Sequence, residues 1–407
     1  MSAQIWNIDY NGITWPEART SNQSQNEYMS WIEIDIGLTT NTLNFTVAHE
    51  FSHAVQFSYS YHSAERWIHE NTSQWMGHIM YPNHIFYIGA AHLPLLLPQL
   101  KISYGFQNDD YWYGGGLWIQ FLTEWKDGLI AKRLWQRMGD VNLSLGVKTF
   151  QDIQAILENS YNSSFNEALK QYAIWRYFTG RYANTSFFSN ANRLILVDNA
   201  PYTYSISTYP LLETTIVPND RTLSGPGGTS FIEFRNGAGT ITIGFDGTDG
   251  YQWDAFVIEY RPPGNPINIH SISLNSQNRG EISLPWGNTH WFVLVPVVMD
   301  TRSTASSLNF TTWANIDTRV PITFKNQIGE ENAGGSLLLD NTDNVPSGQS
   351  RMLNEGSNHI VQTNEERFPR IDSNYKHHNW KAVNSKFKLV DYFTIPTLLN
   401  KLKVKRI

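Results

Sequence analysis

The chain has 407 residues, a formal net charge of −6 at pH 7 and no cysteine. Disulfide bonds and thiol chemistry are therefore excluded, and the lack of a large basic block argues against nucleic acid as a partner. The length predicts two or three domains, and 41% hydrophobic residues are enough for packed cores. No run of 18 apolar residues occurs, so we expect no membrane span.

Charged residues make up only 16% of the chain, whereas Asn, Ser and Thr are abundant. This balance is typical of a β-rich protein that works outside a cell, and the absence of cysteine is compatible with bacterial export. Residues 1–4 show neither the basic n-region nor the apolar h-region of a signal peptide. We therefore expect a secreted bacterial protein whose signal peptide is not part of this chain, and the remainder of a longer precursor is one interpretation of its N-terminus.

The first predicted elements are one strand and two helices. Residues 31–36 alternate with a period of two and predict a strand, which we expect at a sheet edge beside the functional cleft. Helices are predicted at about 43–58 and 63–80. In the first helix, apolar residues recur every four positions and predict its buried stripe. These residues are Leu43, Val47, Phe51 and Val55.

The next segment is aromatic and again helical. Tyr111-Trp112-Tyr113 precedes three consecutive glycines, which indicate a loop. Helical periodicity follows in the ranges 117–125, about 129–138, 149–159 and 164–179. We therefore expect residues 1–190 to form a mainly helical domain.

From residue 229 the chain changes to short alternating runs separated by turns rich in Gly, Asn, Asp and Pro. Where the spacing is tightest it is near ten residues, which predicts a β-sandwich. We assign residues 191–315 to this sandwich and 316–407 to a second β-rich module. The predicted fold class is a multidomain α+β protein, with a mainly helical domain followed by two β-sandwich modules.

The strongest chemical signal is His49-Glu50-Phe51-Ser52-His53, an HExxH pattern on the first predicted helix. Histidines at i and i+4 lie one turn apart on one helix face, so both imidazoles can bind one zinc ion. Glu50 follows the first histidine and can take a proton from a zinc-bound water. We therefore predict one Zn²⁺ per chain, held by His49 and His53, and a zinc hydrolase with Glu50 as the general base.

A catalytic zinc site needs a third protein ligand. The metzincin pattern requires Gly and His where this chain has Gln56 and Tyr59, so that class is excluded. Glu70 is preferred as the third ligand, because two antiparallel helices joined by a short loop would bring it opposite the histidines. The other candidates are His62, Glu65 and His69.

The stretch from 47 to 76 resembles the gluzincin group of zinc metallopeptidases, in which HExxH is followed by a Glu on a later helix. It is most similar to secreted bacterial metalloproteases in which an HExxH domain precedes β-sandwich modules. The resemblance implies a zincin-like catalytic domain with His49, His53 and Glu70 as ligands and Glu50 as the base. It also implies an endopeptidase that acts on protein or peptide substrates.

One position departs from the gluzincin pattern. Many gluzincins carry Asp four residues after the ligand Glu, where it orients the first histidine, whereas this chain has Gln74. An amide oxygen can still accept a hydrogen bond from an imidazole N–H, so we expect Gln74 to take this role in a weaker form. The oxyanion of the reaction needs a donor, for which Tyr111 and Tyr113 are candidates.

An alternative function from another class is a secreted binding or adhesion protein. In that case the β-modules would carry the function and the zinc site would be vestigial or weakly active. The Gln74 departure favours this alternative, whereas the intact Glu50 favours the peptidase.

Overall fold

The chain is described from a computed structural model, and it is an α+β protein with helices and several β-sheets. The structure describes most residues of the chain. These are 2–6, 11–19, 27–61, 66–105, 111–140, 148–194, 200–216, 222–261, 266–302, 305–324, 327–328, 331–332, 336–340, 342–346, 349–354, 358–363, 380–382, 392–394 and 403–406.

The N-terminal sheet has three strands, β1 (Ser2–Trp6), β2 (Gly12–Arg19) and β3 (Tyr28–Asp35). Their order is β1-β3-β2, with β1 parallel and β2 antiparallel to β3. The strand predicted at residues 31–36 corresponds to β3. It is the central strand and not an edge strand, because β1 and β2 pair with its two sides. The edge strand that packs against the following helix, α1 (Thr40–Tyr59), is β2.

Helix α1 (Thr40–Tyr59) begins after Thr39, whose hydroxyl oxygen accepts a hydrogen bond from the Thr42 backbone N–H at 3.4 Å. Helix α2 (Arg66–Met80) packs against α1, and α1 also packs on β2 and β3. The buried face of α1 consists of Phe45, Thr46, His49, Glu50, Ser52, His53, Ala54, Gln56 and Phe57.

The predicted buried stripe of α1 is wrong. Val47, Phe51 and Val55 are exposed, with relative accessibilities of 44%, 51% and 41%. The opposite, mostly polar face is buried instead. Burial of that face is tolerated because side chains of α2 and β2 form hydrogen bonds with it.

Seven further helices complete the helical part of the described chain. They are α3 (Ile85–Ala91), α4 (Leu93–Leu96), α5 (Tyr111–Gly114), α6 (Gly116–Trp125), α7 (Ile130–Asp140), α8 (Lys148–Tyr161) and α9 (Phe165–Tyr177). The positions of α6 to α9 agree with the sequence periodicity. Their apolar side chains form one core around Trp118, Phe121 and Tyr172.

Two sheets follow the helices, in the orders β10-β7-β12-β5 and β4-β6-β11-β8-β9. The strands are β4 (Tyr204–Ile206), β5 (Leu211–Thr215), β6 (Ile232–Arg235), β7 (Thr240–Gly247), β8 (Trp253–Tyr260), β9 (Asn268–Ser271), β10 (Arg279–Pro285), β11 (Trp291–Val298) and β12 (Phe310–Asp317). Their facing side chains share one apolar core, so the sheets form a sandwich.

The five-stranded sheet is buried on both faces. Val257 and Leu294 point into the sandwich core, whereas the alternate residues Phe256, Val293 and Val295 belong to the core of the helices. Alternation along a strand directs successive side chains to opposite faces. The sandwich therefore completes the hydrophobic core of the helical part.

A buried arginine reinforces this contact. The Arg176 guanidinium of α9 donates hydrogen bonds to the carbonyl oxygens of Gly227 at 2.7 Å and of Pro94 and Pro98, each at 3.4 Å. Its side chain is fully buried and lies 4.4 Å from the centre of the Tyr172 ring. The Arg176 side chain thus joins α9 to helix α4, to the residues just after α4, and to the sandwich.

The C-terminal residues form short strands in two four-stranded sheets and one hairpin. These strands are β13 (Arg319–Phe324), β14 (Gln327–Ile328), β15 (Glu331–Asn332), β16 (Ser336–Leu339), β17 (Asp343–Pro346), β18 (Ser350–Asn354), β19 (Asn358–Thr363), β20 (Trp380–Ala382), β21 (Tyr392–Thr394) and β22 (Lys403–Arg406). Among the described residues, no helix has both the length and the apolar character needed to cross a membrane.

Replacement of Arg176 by Met should lower the free energy of unfolding by about 3 kcal/mol or more, because the carbonyl oxygens of Pro94 and Gly227 lose the guanidinium donor, whereas that of Pro98 keeps the Thr229 backbone N–H. The Arg181→Met variant, at an exposed position five residues away, should change it by less than about 1 kcal/mol. Urea unfolding followed by tryptophan fluorescence measures both values. Equal midpoints for the two variants would contradict the role of Arg176.

His78 of α2 should make the fold sensitive to acid. Its ring stacks on Tyr87, with centroids 3.9 Å apart, and burial, with Arg193 nearby, lowers the pKa of His78 to about 4. The unfolded chain takes up this proton near pH 6.5, so the stabilising contribution is present above that pH and is lost as the pH falls towards 4.

Substitution of His78 by Phe keeps the stacking and removes the proton site. Lowering the pH from 7.5 to 5 should reduce the unfolding free energy of the wild type by about 2 kcal/mol more than that of the variant. Denaturant unfolding at both pH values measures the shift. A difference that does not change with pH would show that His78 is not held neutral.

Candidate metal centre

The two histidines of the HExxH pattern and Glu70 converge between α1 and α2. His49 Nε2 lies 3.2 Å from Glu70 Oε2, His53 Nε2 lies 3.4 Å from the same oxygen, and the two Nε2 atoms are 3.1 Å apart. Both histidine side chains are 9% exposed, and that of Glu70 is 21% exposed. The structure thus brings the preferred third ligand to the histidines.

His49 Nε2, His53 Nε2 and Glu70 Oε2 form a triangle of candidate ligand atoms whose spacing fits a tetrahedral zinc ion. Bonds of about 2.0–2.1 Å at tetrahedral angles place two ligand atoms about 3.3 Å apart. The three observed separations, 3.1, 3.2 and 3.4 Å, surround this value. Two nitrogens and one carboxylate oxygen are also ligand types that zinc prefers.

The charges of the site favour a bound cation. Burial by itself disfavours a charged imidazole, but the Glu70 carboxylate outweighs it and raises the pKa of His53 to about 9. Burial likewise opposes ionisation of Glu70, yet His53 and His49 hold its pKa well below the usual range. The carboxylate that attracts a proton to His53 also attracts a divalent metal.

Glu50 follows His49 on α1 and is held by strand β2. The Thr14 hydroxyl lies 2.8 Å from Glu50 Oε2 and also 2.8 Å from the Glu50 backbone oxygen. Gly12 allows this close approach, since a Cβ there would lie 2.9 Å from Glu50 Cγ and 2.6 Å from Thr46 Cγ2. The side chain of Glu50 is therefore positioned by the edge of the sheet.

An open cleft of about 830 Å³ lies beside His49 and Glu50. Its walls come from the start of β2, from α1 and α2, from α3 and α4, and from α5. Most of the lining side chains are apolar or small. The lining residues are Asn11, Gly12, Phe45, Thr46, His49, Glu50, Gln74, Ile85, Phe86, Gly89, Ala90, Leu93 and Tyr113.

The two candidate tyrosines lie in different environments. Tyr113 is 39% exposed, lines the cleft and places its ring centre 5.9 Å from that of His49. Tyr111 is buried, and its hydroxyl donates a hydrogen bond to the Leu100 carbonyl oxygen at 3.4 Å. Of these two tyrosines, only Tyr113 is therefore placed to reach a ligand in the cleft.

Gln74 has a different partner from the one expected. Its amide nitrogen donates a hydrogen bond to the Phe86 carbonyl oxygen at 3.2 Å, and in the described part of the chain it makes no hydrogen bond with His49. The His69 ring faces Gln56 and Trp135, away from the triangle. His62 and Glu65 lie outside the described residues.

Three residues of the site were not singled out from the sequence. Gln56 and Ser73 contact His53 Nδ1, at 3.0 and 3.1 Å, and Thr14 contacts Glu50. Gln56 could have been found, since it lies three positions after His53 on the same helix face. Thr14 and Ser73 carry no local signal, because tertiary packing alone brings them to the site.

The chain belongs to a family of unknown function, DUF6055, whose profile matches residues 14–252. The matched range begins at Thr14 and includes His49, Glu50, His53 and Glu70. No curated protein sequence matches the chain.

Three solved structures resemble parts of the chain at low identity. The pre-peptidase C-terminal domain of a Bacillus anthracis collagenase shares 11% identity, covering 28% of this chain and 94% of that domain, with a TM-score of 0.20. The Aeromonas hydrophila periplasmic lysozyme inhibitor PliG shares 12%, covering 28% and 97%, at 0.19. The Methylomicrobium album surface-associated copper-binding protein CorA shares 11%, covering 28% and 98%, at 0.19.

Proposed function

We propose that this protein is a zinc-dependent endopeptidase of the gluzincin type. The observation that carries the proposal is the triangle of His49, His53 and Glu70 at zinc-like separations, beside an open cleft that Glu50 also lines. In this proposal, the N-terminal sheet and helices α1 to α9 form a zincin-like catalytic domain.

His49 and His53, through their Nε2 atoms, and Glu70, through Oε2, would hold the metal. When bound, zinc polarises a peptide carbonyl and lowers the pKa of a water molecule. Glu50 would accept the proton of the attacking water and deliver it to the leaving amine. The hydrogen bond from Thr14 keeps the Glu50 carboxylate in one orientation for both transfers.

The cleft favours internal peptide segments over chain ends. None of the described residues that line it is Lys or Arg, the side chains best suited to a terminal carboxylate. Its apolar walls can bind uncharged side chains of an extended peptide. The Tyr113 hydroxyl would donate a hydrogen bond to the oxyanion.

We also propose secretion from a bacterial cell. The support comes from the composition, with few charged residues and no cysteine. A protein or peptide outside the cell would then be the substrate.

The purified protein should contain about one zinc per chain by elemental analysis, and Glu70→Ala should lose it. Glu50→Gln should retain the zinc and lower the rate of casein digestion by 10²-fold or more, because the proton acceptor is removed. The exposed Glu17 is a matched control, and Glu17→Gln should digest casein like the wild type.

Three results would contradict the proposal. A carefully purified wild type without metal would exclude the zinc centre. Zinc-loaded protein that digests casein equally with Glu50 or Gln at this position would exclude Glu50 as the base. Zinc-loaded wild type that digests no peptide would favour the binding-protein alternative.

Thr14→Val should lower kcat by about tenfold or more with little change in KM, because the valine keeps the shape but no longer orients Glu50. Thr14→Ser retains the hydroxyl and should restore most of the rate. The zinc content of both variants should match that of the wild type. Equal kcat for the valine and serine variants would rule out this role of Thr14.

A further inference from the structure

Gln56 lies at the centre of a buried polar network between α1 and α2. It is 1% exposed and follows His53 by three positions on α1. Its amide oxygen lies 3.0 Å from Nδ1 of His53 and 2.9 Å from Nδ1 of His69. Its amide nitrogen lies 2.9 Å from Ser73 Oγ and 3.1 Å from the His69 backbone oxygen, and it also donates to Ser52 Oγ at 3.3 Å.

One of these contacts determines which end of the amide is which. The His69 backbone oxygen can only accept a hydrogen bond, so the Gln56 atom that faces it must be the NH₂ group. The other end, which faces the two imidazoles, is therefore the oxygen. A flipped amide would place two oxygens against each other in a buried site.

The orientation of Gln56 determines the proton positions on both rings. An amide oxygen only accepts hydrogen bonds, so His53 and His69 must each carry a proton on Nδ1. In the neutral imidazole the other nitrogen, Nε2, then has a free electron pair. For His53, this is the nitrogen that faces His49 Nε2 and Glu70 Oε2.

We infer that Gln56 is the residue that positions His53 for metal binding, because it holds the Nδ1–H of the ring and so leaves Nε2 as the nitrogen directed at the metal. This inference rests on the proposed zinc centre. His69 donates its Nδ1–H to the same amide oxygen, but its ring packs against Trp135 and does not join His49, His53 and Glu70. The amide that orients a histidine is thus Gln56 rather than Gln74.

The test compares three variants by their zinc affinity, measured by competition with a chromogenic chelator. Gln56→Leu removes the acceptor and should weaken zinc binding about 10- to 100-fold. Gln56→Glu keeps an acceptor for both N–H groups and should bind zinc within a few-fold of the wild type. Gln74→Leu is the matched control and should not change the affinity, because Gln74 bonds to Phe86 instead.

A second measurement separates positioning from general stability. Gln56→Glu loses the donors to Ser73 and to the His69 carbonyl, so the metal-free variant should unfold at lower urea than the wild type. A merely structural role would make affinity fall together with stability in both Gln56 variants. Equal losses of affinity in the Leu and Glu variants would therefore overturn the inference.

The wild type provides a test that needs no variant to fold. With ¹⁵N-labelled histidine and bound zinc, His53 should show a protonated Nδ1 and a metal-bound Nε2 by NMR. Coordination through Nδ1, or unchanged affinity in Gln56→Leu, would overturn the role of Gln56 and leave the zinc centre intact. A wild type that binds no zinc would overturn both.

Discussion

The site depends on the burial of a polar helix face against a second helix. Helix α1 turns His49, Glu50, His53 and Gln56 inwards, and such groups are costly to bury unless each finds a partner. Helix α2 supplies Glu70, Ser73 and the His69 carbonyl oxygen, and β2 supplies Thr14. The crossing of α1 and α2 is thus constrained by hydrogen bonds as much as by apolar packing.

The remaining architecture supports this crossing from outside. The helical core that surrounds α2 continues into the five-stranded sheet of the sandwich, whose strands are apolar on both faces. Arg176 links α9 to the segment after α3 and to the sandwich. Because α3 and α4 form a cleft wall, the sandwich contributes indirectly to the position of the candidate substrate site.

On the helices, hydrophobic periodicity predicted the buried face correctly where that face is apolar and wrongly where it is polar. Helices α6 to α9 lie where the periodicity indicates, because their apolar residues enter the core. On α1 the same rule selected Val47, Phe51 and Val55, which are exposed. The interior there is polar and is satisfied by residues distant in sequence, so hydrophobic periodicity points to the wrong face. The sequence also predicts the strand at 31–36, which is β3, at a sheet edge. The structure places β3 in the centre of the sheet, because β1, for which the sequence gives no signal, pairs with it.

The sequence by itself determined the local part of the site. Helical geometry places His49 and His53 one turn apart whatever the surrounding fold, and Glu50 beside them. Only the tertiary structure decided which groups meet this helix: Glu70 rather than His69 near the histidines, Tyr113 rather than Tyr111 in the cleft, and Gln56 rather than Gln74 on an imidazole. The physical reason is that spacing within a helix is set by short-range backbone hydrogen bonds, whereas the approach of α2, α5 and β2 is set by packing over the whole core.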